Sequence, residues 1–95
     1  MVIPKPKRQV NRQYLDFVKS RPCVVVHECM GPIDPQHIKT VGSGGSDYMT
    51  VSMCRKAHSE CHQIGIHTFA AKYGLNLWEE AFHTFYEWAE LKAWL

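Results

Sequence analysis

The hydrophobic pattern of the first part of the chain changes from a helical period to an extended one. Apolar positions recur at helical spacing over residues 12–19, and Asn11 is a residue type that caps the start of a helix. A β-branched run at residues 23–26 predicts a short strand. Residues 36–38 form a second extended segment, which we expect to pair with the first as a hairpin.

Glycines and capping residues divide the second part of the chain. A glycine-rich loop at residues 42–46 leads into an extended segment at residues 47–51. Three helices are then predicted, and each is bounded by a helix-breaking glycine or a capping asparagine. Their expected positions are from 52–54 to 62–64, ended by Gly65; 66–73, closed by Gly74; and 77–95, capped by Asn76.

The last predicted helix has a stripe of apolar residues along one side and glutamates along the other. The stripe consists of Trp78, Ala81, Phe82, Phe85 and Ala89. We expect it to pack in the core. The alternative is a surface that forms a homodimer or receives a partner protein, because small domains often need additional burial.

The length and composition predict a small domain. A chain of 95 residues forms one domain, residues 1–95, whose modest core would benefit from a metal, a partner or close helix packing. No apolar run approaches a membrane span, and the first residues lack the apolar segment of an export signal. We therefore expect a cytoplasmic protein without membrane contact. Its four cysteines are expected to be thiols or metal ligands, not structural disulfides.

Positive charge is concentrated at the N-terminal end. Basic residues outnumber acidic ones over residues 1–40, and acidic residues predominate over residues 41–95. This distribution suits a nucleic-acid-binding face that includes an extended basic arm at residues 1–10. Ordinary solvated charge is the alternative.

Three histidines are placed to combine a general base with a metal site. His58 and His62 are four residues apart, so a helix presents both imidazoles on one face. His37 lies in an extended segment, just before Ile38. Histidine can accept a proton near neutral pH, and neutral imidazoles bind divalent metals. The alternative is three unrelated histidines, since this helical spacing is common.

Four segments carry a specific combination of residues. They are Asp34-Pro35-Gln36-His37-Ile38-Lys39, Gly44-Gly45-Ser46-Asp47-Tyr48, Met53-Cys54-Arg55-Lys56 and His58-Ser59-Glu60-Cys61-His62-Gln63-Ile64-Gly65. Through them residues 23–62 resemble the HNH endonuclease superfamily, the ββα-metal nucleases, and residues 14–80 resemble its small phage and prophage members. The resemblance implies an α+β fold. Its treble-clef-like ββα-metal core would have an N-terminal helix before it and C-terminal helices, residues 66–95, after it.

The resemblance also implies an activity and roles for single residues. The activity is metal-dependent hydrolysis of DNA phosphodiester bonds with weak sequence preference, in the host cytoplasm for a phage-encoded enzyme. His37 matches the histidine that activates the attacking water. His58 and His62 match the metal ligands of the helix. Gln36 stands where the family has a further metal ligand.

Two departures from the family bear on catalysis. Gln36 offers only a neutral carbonyl oxygen, so Mg²⁺ or Mn²⁺ is favoured as the single divalent ion over Zn²⁺ or Ni²⁺. Met49 falls where the family places an asparagine, and Asp47 is expected to take over its supporting role. Alternatively, the changes at Gln36 and Met49 abolish catalysis and leave an HNH-fold module that binds DNA or a protein.

The cysteines do not reproduce the structural zinc site of many HNH relatives, which is held by two Cys-x-x-Cys pairs. Cys23 and Cys54 match the first member of each pair, but Val26 and Ala57 fill the second positions and are expected to pack as core. We therefore expect the four-cysteine zinc to be absent. An alternative zinc site would combine Cys23 or Cys54 with members of the set Cys29, His27 and Cys61. Otherwise the cysteines act as small buried hydrophobes.

Three basic residues flank the histidines. Lys39, Arg55 and Lys56 are expected to contact phosphate, which makes DNA the expected partner. No element shows a clear base-reading pattern. A small interaction protein built around the last helix, without nucleic-acid binding, is a further alternative.

Overall fold

A two-stranded antiparallel sheet and four α-helices make up the described part of this computed structural model, residues 7–25 and 29–94. The protein is therefore of the α+β class. In chain order the elements are α1 (Arg12–Lys19), β1 (Ile33–His37), a 3₁₀ turn (Val41–Ser43), β2 (Thr50–Cys54), α2 (Arg55–Ile64), α3 (Ile66–Tyr73) and α4 (Leu77–Trp94).

The first helix has the bounds that its sequence predicts. The side chain of Asn11 accepts a hydrogen bond from the backbone N–H of Tyr14 at 3.0 Å, which satisfies one of the free amides of the first turn. Tyr14 and Val18 lie about one turn apart and are fully buried. Helix α1 thereby packs one face against the sheet, since it contacts both β1 and β2.

The pairing of the sheet differs from the prediction. Strand β1 pairs with β2 in a register from Ile33 opposite Cys54 to His37 opposite Thr50. The expected hairpin between residues 23–26 and 36–38 is wrong, because residues 23–25 belong to no strand. Residue 26 lies outside the described residues.

At the edge of β2 that does not pair with β1, side chains make hydrogen bonds in place of a regular strand pairing. Val24 donates one backbone hydrogen bond to the Ser52 carbonyl at 2.9 Å. The Ser52 hydroxyl donates to the Pro22 carbonyl at 2.6 Å, and the Cys23 thiol accepts from the Cys54 amide at 3.3 Å. These contacts use backbone groups that a third strand would need, so the β-branched run packs beside the sheet without joining it.

The second strand lies later in the chain than predicted. The segment expected to be extended from residue 47 begins with a turn, in which the Met49 amide donates to the Ser46 carbonyl at 3.0 Å. The strand starts at Thr50 and continues to Cys54, where α2 begins without an intervening residue.

The core surrounds β2, all of whose residues are buried. Helices α1, α2 and α4 contact this strand. The buried residues of the main cluster are Val25, Val51, Met53, Cys54, Ala57, Cys61, Phe69, Leu77 and Ala81.

The predicted ends of α2 and α3 and the predicted start of α4 are confirmed, but α2 begins at Arg55 and not at residues 52–54, because those residues belong to β2. The predicted end of the last helix, residue 95, lies outside the described residues. Gly65 and Gly74 end α2 and α3 with φ of 88° and 63°, values that favour glycine. The Asn76 side chain accepts a hydrogen bond from the Glu79 amide at 3.1 Å and so caps α4. None of the helices within residues 7–25 and 29–94 is long and apolar enough to cross a membrane.

The apolar stripe of α4 does not form the core. Of its members Ala81 is buried, but Trp78, Phe82 and Phe85 are 53%, 61% and 40% exposed, and Ala89 is exposed as well. The helix instead buries Leu77, Ala81 and Thr84. Its Phe85 and Trp88 rings contact Tyr14 of α1, with ring centroids 6.2 and 5.4 Å apart, while Trp78 and Phe82 are more than half exposed.

Candidate functional site

The histidine pair on α2 forms the centre of the candidate site. The Nε2 atoms of His58 and His62 lie 3.0 Å apart, and the ring centroids are separated by 4.7 Å. This contact follows directly from helical geometry, which brings residues four apart together on one face.

A carboxylate from β1 holds the first of these histidines. Asp34 Oδ2 lies 3.0 Å from His58 Nδ1, and Arg55 donates two hydrogen bonds to the same carboxylate at 2.6 and 3.1 Å. The hydrogen bond from Arg55 lowers the pKa of Asp34; burial opposes this shift and the contact with His58 adds to it. Asp34 is therefore ionised at neutral pH.

The charge on Asp34 fixes the tautomer of neutral His58. A carboxylate only accepts hydrogen bonds, so the Nδ1 atom of His58 carries the proton and its Nε2 lone pair faces His62. Two imidazoles in this arrangement can share either a proton or a metal ion. A carboxylate behind a metal-binding histidine is the usual way in which proteins orient such a ligand. The donor set therefore fits a divalent metal.

Asp34 is the residue that sequence reasoning missed. It belongs to the Asp-Pro-Gln-His segment, but no role was assigned to it because its proximity to α2 depends on the register of the sheet. Asp34 pairs with Met53, two residues before Arg55. The sequence signal was an acidic residue in the same segment as the candidate base.

The histidine pair opens into a surface depression with positive charge at its rim. Lys19 of α1 and Arg55 of α2 both line it, so an anionic group entering the depression would meet cations from two elements. The full lining consists of Leu15, Lys19, Asp34, Pro35, Arg55, His58, Ser59 and His62.

His37 lies in a neighbouring depression, not with the helical pair. Its Nε2 atom is 2.8 Å from Asp47 Oδ1, which is the geometry of an orienting carboxylate. Arg8, Arg12 and Lys19 also line this second depression, and Lys19 is common to both. Within residues 7–25 and 29–94, His37 and the other two histidines do not form a group whose ligand atoms are close enough to share one metal ion.

Asp47 is buried and has three polar neighbours. Besides facing His37, it accepts hydrogen bonds from the Arg8 guanidinium at 2.8 Å and the Asn11 amide at 2.9 Å. Burial acts to raise the pKa of Asp47, but the hydrogen bonds from His37, Asn11 and Arg8 outweigh it and the pKa is lowered. The ionised carboxylate holds the Nε2 proton of neutral His37, and the Nδ1 atom remains as the basic nitrogen.

Gln36 is placed differently from the prediction. Its side-chain amide donates to the His37 carbonyl at 2.8 Å, and its Oε1 atom is buried without a hydrogen-bond partner among the described residues. The depression at the histidine pair is lined by Asp34 instead. The structure thus does not bring Gln36 into the ligand pair.

The three predicted phosphate contacts lie in different places. Arg55 is beside the histidine pair, but its guanidinium already binds Asp34. Lys56 is exposed on the first turn of α2. Lys39 lines a groove between the end of β1 and the helices α3 and α4, away from the histidine pair. Lys19 lines both depressions and Arg8 lines that of His37, and the position of each depends on tertiary packing that the sequence pattern does not give.

The cysteines divide into a cluster and a core residue. Cys23, Cys29 and Cys54 lie together, and Cys61 is buried in the core. All four are free thiols. Ala57 packs in the core as predicted, while Val26 and His27 lie outside the described residues.

Comparison with known proteins places the chain in a family. The family described as "Protein of unknown function (DUF968)" matches residues 1–89. The chain belongs to this family. It is also 36% identical over 83 residues to the Escherichia coli (strain K12) protein named "Uncharacterized protein YdfU".

The alignment with that relative covers 81% of this chain but 23% of the relative, so the chain spans about a quarter of the length of the protein it matches. No solved structure matches the chain. Neither the description of the DUF968 family nor the name of the relative states an activity.

Proposed function

We propose that this chain is a metal-dependent DNA endonuclease and that β1, β2 and α2 form a ββα-metal core. The observation that carries the proposal is the His58–His62 pair, with Nε2 atoms 3.0 Å apart and Asp34 behind His58. An antiparallel strand pair followed directly by the helix that bears the histidines supports the same assignment.

The metal site consists of His58 and His62, with Asp34 as the orienting carboxylate. A divalent ion bound there would polarise a DNA phosphodiester and stabilise the leaving oxygen. The site offers two imidazole donors, and the Gln36 side-chain amide is hydrogen-bonded elsewhere. Imidazole is a softer ligand than oxygen, so this site favours Mn²⁺, Zn²⁺ or Ni²⁺ over Mg²⁺.

His37 is the proposed general base. Asp47 holds the Nε2–H group and leaves Nδ1 to accept a proton from water. Its depression and that of the histidine pair share Leu15 and Lys19. A phosphate bound by Lys19 would therefore lie where the two depressions adjoin.

The proposed DNA contacts are to phosphate. Arg8, Arg12, Lys19 and Arg55 line the two depressions, so cationic groups surround the place where the backbone of DNA would lie. Phosphate contacts carry no base information, which fits the weak sequence preference that we propose.

The test is cleavage of plasmid and single-stranded DNA with Mn²⁺, Mg²⁺, Ni²⁺, Zn²⁺ or chelator. We expect wild type to cut in a metal-dependent manner and His58→Ala, His62→Ala and His37→Ala to lose activity. His83→Ala, an exposed histidine on α4, is the matched control and should cut like wild type. Unchanged cleavage by His58→Ala and His62→Ala would refute the metal site, and unchanged cleavage by His37→Ala would refute the base.

One observation favours a second candidate, an HNH-fold module that binds DNA without cutting it. His37 and Gln36 both stand apart from the histidine pair, so the groups needed for hydrolysis are not gathered at one point. Salt-sensitive DNA binding by fluorescence anisotropy, without cleavage under any metal, would favour this module over the nuclease.

A further inference from the structure

A cluster of thiols lies at the N-terminal end of α2, where Cys54 caps the helix. The histidine pair lies further along the same helix. Cys23 and Cys29 lie in the connection between α1 and β1, Cys54 ends β2, and their three sulfur atoms all lie within 4.8 Å of one another. Cys54 is buried, Cys23 half-buried and Cys29 exposed, so the cluster extends from the core to the surface. None of these cysteines takes part in the proposed nuclease chemistry.

Backbone amides already point at two of the sulfur atoms. The Cys54 amide donates to the Cys23 sulfur at 3.3 Å, and the Ala57 amide at the start of α2 donates to the Cys54 sulfur at 3.4 Å. Burial acts to raise the pKa of Cys54, but the hydrogen bonds from the Ala57 and Met30 amides outweigh it and the pKa is lowered. A helix N-terminus and amide hydrogen bonds both stabilise a thiolate.

The third thiol shows what the cluster requires to ionise completely. Partial desolvation of its sulfur by the neighbouring groups, together with the adjacent sulfurs of Cys23 and Cys54, raises the pKa of Cys29 to about 11. Adjacent thiolates repel one another, so three of them coexist at neutral pH only when a cation shares their charge.

We propose that Cys23, Cys29 and Cys54 bind one zinc ion as three thiolates, at a structural site separate from the histidine pair. Zn–S bonds of about 2.3 Å in a tetrahedral site place sulfur atoms roughly 3.8 Å apart. Sulfur atoms within 4.8 Å reach that spacing by small side-chain movements. Three sulfur ligands are soft donors that favour zinc over magnesium or manganese. Binding releases the thiol protons to solvent and leaves the fourth position of the tetrahedron to another ligand.

The site would fasten the segment before β1 to the start of α2. That segment is already held close: the Met30 and Pro32 carbonyls accept from the Lys56 and Arg55 amides at 3.1 and 2.9 Å. A Cβ atom added to Gly31, whose φ is 84°, would lie 2.6 Å from the Cβ of Arg55. A small domain has only a modest hydrophobic core, so a zinc ion in this position would add a cross-link that stabilises the fold.

The first experiment measures metal in the protein as purified under reducing conditions. We expect about one zinc per chain by elemental mass spectrometry, and loss of that zinc in Cys29→Ser. Cys61→Ala is the matched control and should retain zinc, because Cys61 does not belong to the group of sulfur atoms that lie within 4.8 Å of one another. The His58→Ala/His62→Ala double variant should also retain it, which separates this site from the proposed nuclease site.

Cobalt(II) provides the second readout. The metal-free protein titrated with Co²⁺ should develop a thiolate-to-cobalt charge-transfer band and the visible bands of a tetrahedral site, both lost in Cys29→Ser. Titration of wild type with a mercurial should release zinc as the thiols react. This test uses the unmodified chain, so it does not depend on whether a cysteine variant folds. Absence of a charge-transfer band in reduced wild type, or an unchanged band in Cys29→Ser, would overturn the proposal.

Discussion

Asp47 joins the start of α1 to the candidate base, and we expect its removal to destabilise the fold strongly. Its buried carboxylate accepts hydrogen bonds from Arg8 and Asn11 and lies 2.8 Å from His37 Nε2. Charged hydrogen bonds contribute about 1.5–3 kcal/mol each. Water can replace part of this at Arg8 and His37, whose side chains are 29% and 18% exposed. Asp47→Ala should therefore lower the free energy of unfolding by about 3–5 kcal/mol.

Urea unfolding followed by tryptophan fluorescence and circular dichroism measures this loss, at a fixed metal concentration. Asp16→Ala is the control, because Asp16 is 67% exposed and its ion pair with Lys19 is 3.8 Å long. Such a pair contributes about 0–1 kcal/mol. If Asp47→Ala cost no more than Asp16→Ala, the contacts of Asp47 would not stabilise the fold and our reasoning would be wrong. Asp47→Asn, which keeps one acceptor oxygen, should give an intermediate loss.

The same carboxylate predicts a pH dependence. Because the folded-state pKa of Asp47 is lowered, its contribution to stability is fully present above the ordinary pKa range, near about pH 4, and is lost as the pH falls through the folded-state pKa. Asp47→Asn has no charge to lose. The difference in unfolding free energy between wild type and this variant should therefore narrow as the pH falls from about pH 4 to about pH 2. A constant difference over this range would contradict the assignment.

Three further substitutions test the packing. Gly45→Ala should cost about 1–3 kcal/mol in a urea titration, because its Cβ would lie 1.9 Å from the Lys39 carbonyl oxygen; Gly42→Ala, with open space around it, is the control and should cost almost nothing. Met53→Ala should cost about 2–5 kcal/mol because Met53 is fully buried in the core, and a loss under 1 kcal/mol would mean that β2 is not its centre. Phe82→Lys should change stability by less than about 0.5 kcal/mol, since Phe82 is 61% exposed, and gel filtration of this variant beside wild type tests whether the outer face of α4 joins two copies.

Helix boundaries could be predicted from the sequence because the signals are local. Asn11 and Asn76 bind amides three residues further on, and Gly65 and Gly74 take up backbone angles that other residues avoid. The His58–His62 contact is local in the same sense, since it depends only on the helical repeat.

Strand pairing could not be predicted in this way. The β-branched run at residues 23–26 has the composition of a strand, but Ser52 and Cys23 side chains occupy the backbone groups that a third strand would need. Asp34 reaches His58 only because β1 pairs with β2 in the observed register. The orientation of α4 likewise depends on tertiary packing, which buries Ala81 and leaves Phe82 exposed.

The direct junction of β2 and α2 makes chain length at this point a constraint in its own right. Cys54 is at once the last residue of the strand, the partner of Ile33 and the cap of the helix. Each helical residue turns the chain by about 100°, so one residue inserted after Cys54 would rotate His58 and His62 by that angle, away from Asp34. Substitutions at the junction can be absorbed by side-chain movement, but insertions and deletions cannot. The connection between the strands, residues 38–49, is where the chain can change length while the histidines stay in place, provided that Asp47 keeps its contacts.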